Sequence, residues 1–102
     1  MRLLILFDIP TKTRENKKNY ATFRKNLIKN GFIMLQYSVY VRICHEEYSA
    51  MKHIDRIKMV VPPTGSVRAI ILTEKQYKKM FFLVGQPRIE EIKITNDQLL
   101  LF

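Results

Sequence analysis

The feature that most restricts this chain is its first segment. Leu3-Leu4-Ile5-Leu6-Phe7 is an unbroken apolar run, closed by Asp8, Ile9 and Pro10. A short run that is apolar at every position and stopped by proline reads as a buried central strand. Side chains alternate along a strand, so Leu3, Ile5 and Phe7 face one way, Leu4 and Leu6 the other, and both sides of the sheet need cover. The run is far shorter than the roughly 20 residues that span a bilayer. Asp8 interrupts it and no small-residue cleavage site follows, so it is read as a strand and not a signal peptide, in a cytoplasmic protein with no membrane partner.

Residues after Pro10 supply the rest of the sheet and its helices. Thr11 or Thr13 can cap a helix running to about Asn30, where Gly31 is the stop, with Tyr20, Phe23 and Leu27 on its apolar face. Residues 32–36 and 39–43 are β-prone and predict a hairpin around Tyr37 and Ser38. A second helix is expected over residues 46–61, with Ala50, Ile54, Ile57 and Val61 on one face and Met51 at its edge, ending at Pro62-Pro63. Residues 67–72 read as a strand, 74–79 as a helical turn, and 80–84 and 99–102 as two further short strands. The order β-α-β-β-α-β predicts an α+β, ferredoxin-like domain over residues 1–102: an antiparallel sheet with both helices on one face and a C-terminal β extension over about residues 80–102. Two helices cover only one sheet face. A second copy joined through the sheets, with terminal strands adding to the partner's edge, would cover the other; the alternative is that the C-terminal segment folds back over its own sheet.

Charge points to the partner. The 102 residues carry 18 Lys and Arg against 9 Asp and Glu, a net +9. Such a field in a small domain attracts polyanions, chiefly nucleic acid. Lys12, Arg14, Lys17, Lys18, Arg24, Lys25 and Lys29 all lie on or just before the first helix, with Glu15 as the only acid among them. Concentration on one element favours a surface that follows a phosphate backbone. Residues 67–72 lack the stacking aromatics of an RNA-reading sheet, so backbone and shape recognition is expected.

Ordinary catalytic sets are missing from the sequence. His45 and His53 are read as surface residues, and the single cysteine, Cys44, allows neither an internal disulfide nor a zinc cluster. Asp8 stands apart, because a carboxylate at the end of an apolar strand caps the next turn, meets solvent at a functional edge or binds a cation. In a dimer packed through this sheet two copies of Asp8 would approach each other, which calls for a proton or a metal ion. Magnesium suits one or two carboxylates with water and phosphate oxygens completing the shell.

Three stretches carry a family resemblance: Leu3 to Thr11 with its Phe-Asp-Ile-Pro-Thr end, Gly31 to Tyr40 with its Gln-Tyr-Ser-Val-Tyr run, and Leu72-Thr73-Glu74-Lys75-Gln76. In these the chain resembles the Cas-two family, the small adaptation protein of CRISPR systems, and most of all its type II members. The resemblance implies a ferredoxin-like homodimer that sits between dimers of the Cas-one integrase and holds double-stranded protospacer DNA during spacer acquisition. It also implies an endonuclease or endoribonuclease activity, dependent on magnesium or manganese, on single-stranded RNA or double-stranded DNA. There Asp8 would be the catalytic metal ligand, shared with Asp8 of the dimer partner, with Ser38 in support. Phe7 stands where tyrosine is frequent and Met34 where some nuclease-active relatives carry arginine, which ranks holding above cutting. A stand-alone ribonuclease of toxin type is the alternative.

Overall fold

The computed structural model describes residues 1–101, with side chains through residue 97. In chain order the elements are β1 (Arg2–Asp8), α1 (Arg14–Lys29), β2 (Ile33–Gln36), β3 (Val39–Ile43), α2 (Glu47–Lys58), β4 (Ser66–Leu72), α3 (Glu74–Lys78) and α4 (Ile89–Leu101). The sheet runs β2-β3-β1-β4 with every neighbouring pair antiparallel. The apolar first strand is therefore central, hydrogen-bonded on both edges, as its composition requires.

The alternation of β1 divides the molecule into two sides. On one, Leu3, Ile5 and Phe7 pack with Phe23 and Leu27 of α1, Ala50 and Ile57 of α2, and Tyr40 of β3, all buried. The Phe7 ring meets the rings of Tyr20, Phe23 and Tyr40 at centroid distances of 5.8, 5.2 and 5.8 Å, which fixes the end of the strand. Helix α1 is bounded as its sequence suggests. The Thr13 hydroxyl accepts the Asn16 N–H at 3.0 Å, and Gly31 leaves the helix with φ of +86°. The Arg42 guanidinium donates to the Asn30 carbonyl at 2.6 Å and fills the space that a Gly31 side chain would need.

On the other side Leu4 and Val41 are buried beneath Tyr77 of α3 and Ile94 of α4, with Ile33, Leu35, Val39 and Leu72 around them. The C-terminal segment thus folds back over its own sheet, and the expected C-terminal β extension is not there. Residues 80–84 form an irregular loop, Leu99 to Leu101 lie in α4, and Phe102 falls outside the described residues. The cause is visible in the residues that α4 turns inward. Glu91, Ile94 and Thr95 share one helical face, and two of the three are polar, so no apolar stripe announces the helix. The β-prone run Met80 to Val84 joins neither edge strand: the Thr73–Gln76 capping box of α3 turns the chain away from β4, and the run lines a depression with Leu35 and Gln36 of β2.

A second correction concerns His53. It sits on the inner face of α2, buried with Ala50 and Ile57, and its Nδ1 has no hydrogen-bond partner among the described residues. Four residues before Ile57 and three after Ala50, it occupies an inward position that its polar character hides.

Candidate functional site

Asp8 ends β1 on the side away from α1 and α2. It pairs with Ser66 of β4, and both line an open depression of about 390 Å³ with Leu6, Phe7 and Arg68. Strand alternation explains the set: Leu6 opposes Arg68 and Asp8 opposes Ser66, so the carboxylate, a hydroxyl and a guanidinium emerge from one sheet face at one end. Two turns hold this end in place. The β2–β3 turn brings in Ser38, whose φ is +64° and whose carbonyl accepts the Phe7 N–H at 3.0 Å. Gly65, with φ of +94°, lies so close that a Cβ there would stand 2.5 Å from the Asp8 carbonyl oxygen. Glycine is required at that turn on both counts.

The Ser38 turn bonds the residue before Asp8, so the two lie at the same end of the sheet. Among the described residues no group of three or more His, Cys, Asp or Glu side chains converges anywhere. One chain therefore offers a single carboxylate, with hydroxyl and carbonyl oxygens nearby. Hard oxygen donors open to solvent are of the kind that a magnesium ion takes while keeping most of its water, and one carboxylate makes no closed cage.

The seven cations of the first helix are placed differently. Lys12, Arg14, Lys17, Lys18, Arg24, Lys25 and Lys29 are all exposed. The ion pairs among the described residues are Arg2–Glu74 and Lys58–Asp55, so none of the seven is neutralised within the chain. Arg24 is held in place by donating from Nε to the Tyr40 hydroxyl at 2.8 Å. From Arg14 to Lys29 the helix extends about 22 Å at 1.5 Å per residue, roughly two-thirds of a B-DNA turn of about 34 Å. Because α1 packs on the Leu3, Ile5 and Phe7 side of the sheet, this track and Asp8 lie on opposite faces. Lys12 and Arg14 are closest to Asp8 in the chain, at the loop that joins the two faces.

Sequence reasoning missed Arg68, although its register with Leu6 puts it beside Asp8, and it missed a polar cluster on the same sheet face. The Arg2 side chain is buried, donating from Nε to Glu74 at 2.9 Å and from an NH2 group to the Thr95 hydroxyl at 2.9 Å, with its guanidinium carbon 3.8 Å from the centre of the Tyr77 ring. The Tyr77 hydroxyl donates to the buried Glu91 carboxylate. Burial, followed by that carboxylate, pushes the Tyr77 hydroxyl well above its ordinary pKa, so it stays a donor. Burial likewise raises the Cys44 thiol against the pull of Arg42, which leaves it inert. No helix of the described residues is long and apolar enough to cross a membrane.

Residues 1–80 match the model of the family described as CRISPR associated protein Cas2. The chain is 48% identical over 101 residues to the CRISPR-associated endoribonuclease Cas2 of Ligilactobacillus salivarius, covering 99% of each. It is 46% identical over 98 residues to the protein of the same description from Lacticaseibacillus rhamnosus, covering 96% of each. The crystal structure of Streptococcus pyogenes Cas2 at pH 6.5 superposes with a TM-score of 0.63 at 20% identity, over 82% of this chain and all of that one, which supports the fold.

Proposed function

The chain belongs to the Cas2 family of CRISPR-associated proteins, and from that premise we propose that it serves in CRISPR adaptation as a homodimer that holds duplex DNA between dimers of the Cas-one integrase. The observation that carries this reading is the exposed face of α1, whose cations have no acidic partner among the described residues. A rigid helix presenting a row of lysines and arginines contacts phosphates without reading bases, which is what holding DNA of any sequence demands. Two copies would double the track.

Support for the second copy comes from what one chain leaves open. Phe81, Leu83 and Val84 are 89%, 95% and 91% exposed, and β4 is an edge strand with unpaired backbone groups. A β-prone apolar run outside the sheet, in a chain with an open sheet edge, suits strand addition between two copies.

The test is duplex binding across a salt series. Each phosphate contact contributes about 0.9 to the slope of log affinity against log salt, so the double variant Lys18→Glu, Lys25→Glu should bind weakly with a slope shallower by about two per copy. An unchanged slope would remove α1 from the interface.

A second reading, favoured by the Asp8 depression and by the endoribonuclease description that the relatives share, is a metal-dependent endoribonuclease. Hydrolysis would form a bond from water oxygen to phosphorus and break the bond from phosphorus to the leaving sugar oxygen, which gains a proton as the water loses one. A magnesium or manganese ion, when bound, would supply the activated water and charge neutralisation. Asp8 would hold it with the partner's Asp8, the Ser38 turn would set the carboxylate's position, and Arg68 would pair with a phosphate oxygen. No side chain beside Asp8 is a ready general base, so holding ranks above cutting. Chelator-sensitive RNA cleavage should vanish in Asp8→Asn while duplex binding persists; cleavage surviving that substitution would end this reading.

A further inference from the structure

The sheet face that carries Asp8 is covered over one half and open over the other. Leu4 and Val41 are buried under α3 and α4, whereas Leu6 and Ile70, on the same face, are 37% and 48% exposed. A stable interface buries about 800 Å² on each partner. Two half-exposed side chains fall far short of that, so a second copy that packs on this face needs the covered half as well.

The cover is attached in an unusual way for a helix on a sheet. Its described apolar contact is Ile94, while Ile89 and Ile92 point outward and are exposed. The other attachments among the described residues are polar: Arg2 donates to the Thr95 hydroxyl and the Tyr77 hydroxyl donates to Glu91. Over its described residues, 89–97, α4 is held by one apolar side chain and two polar contacts, and polar groups it abandons there can be rehydrated. The linker before it, residues 80–88, is exposed throughout and ties the helix down little.

We infer that α4 is a strap occupying the surface to which a second copy of this chain binds, and that dimerisation through the sheet requires the Arg2, Thr95, Tyr77 and Glu91 contacts to open. The lone chain is then the strapped form. Displacement uncovers Leu4, Val41 and Leu72, and it frees the 80–84 run to pair along the partner's β4. The inference rests on the two-copy reading above and adds a competition: α4 and the partner exclude each other.

Full-length variants test it by sedimentation equilibrium. Thr95→Val loosens the strap without altering the sheet, and it should tighten self-association about 25-fold, the weight of roughly one net hydrogen bond in each of the two copies. Ile92→Ala, on the outer face of α4, should leave it unchanged. If Thr95→Val leaves association as in the unaltered chain, or weakens it, while Ile70→Glu abolishes it, the strap is wrong and the two-copy reading stands. If neither the unaltered chain nor Thr95→Val associates at any concentration, both fall.

Discussion

The two faces of one sheet are covered by opposite means. Beneath α1 and α2 the contact is a closed apolar core in which Phe7, Phe23, Leu27, Tyr40 and Ile57 are buried together. Beneath α4 the contact is a small apolar patch with a ring of polar contacts about Arg2, and the far end of the face is open. Burial of apolar area is non-directional and is lost only with the fold. A polar attachment can be exchanged for water once it opens. The first face makes the domain, and the second gives it something to do.

The largest effect should separate the faces. Phe23→Ala empties the core beneath α1 and should lower the unfolding free energy by about 3–5 kcal/mol in urea titration. Tyr77→Phe removes the donor to Glu91 and should cost about 1–3 kcal/mol, but as local detachment of α4, seen in proteolysis near residue 88 with little change in the global midpoint. Equal shifts in midpoint for the two would erase the distinction.

The smallest effect is a pH dependence confined to the first face. Burial, and then the charges of Arg42 and Arg56, push the His53 pKa below its ordinary value near 6.5. The unfolded chain then binds a proton more readily than the folded one. Stability from this group is complete above the unfolded pKa and falls as pH drops below about 6.5 towards the folded value. His53→Gln should flatten that part of a melting-temperature profile; an unaltered profile would place the titration elsewhere.

The same contrast explains what could be read from the sequence. The first face obeys simple periodicities: period two in Leu3, Ile5 and Phe7, a threonine cap and glycine stop around α1, and a hairpin turn at Tyr37 and Ser38. His53 was misplaced there, since a polar residue at an inward position breaks the pattern that would reveal it, and Val61, expected on the apolar face of the second helix, lies beyond its end and is exposed. The second face is built from Arg2, Thr95 and Glu91, residue types that ordinarily mark a solvent surface, and from a β-prone run left outside. Local propensity is right about residues 80–84 as a strand-forming segment and wrong about one chain, in which the run is an exposed loop paired with neither edge strand. The candidate site divides in the same way. Asp8 and Ser38 were legible as a strand end and a turn, while Arg68 needed the β1–β4 register.

Hydrogen exchange followed by mass spectrometry over a range of protein concentrations tests the central claim directly. Exchangeable attachment of α4 predicts that amides of residues 89–97 exchange faster as concentration rises and a second copy displaces the helix, while amides of β1 and α1 keep their slow rates throughout. Protection of α4 equal to that of α1, and indifferent to concentration, would contradict it.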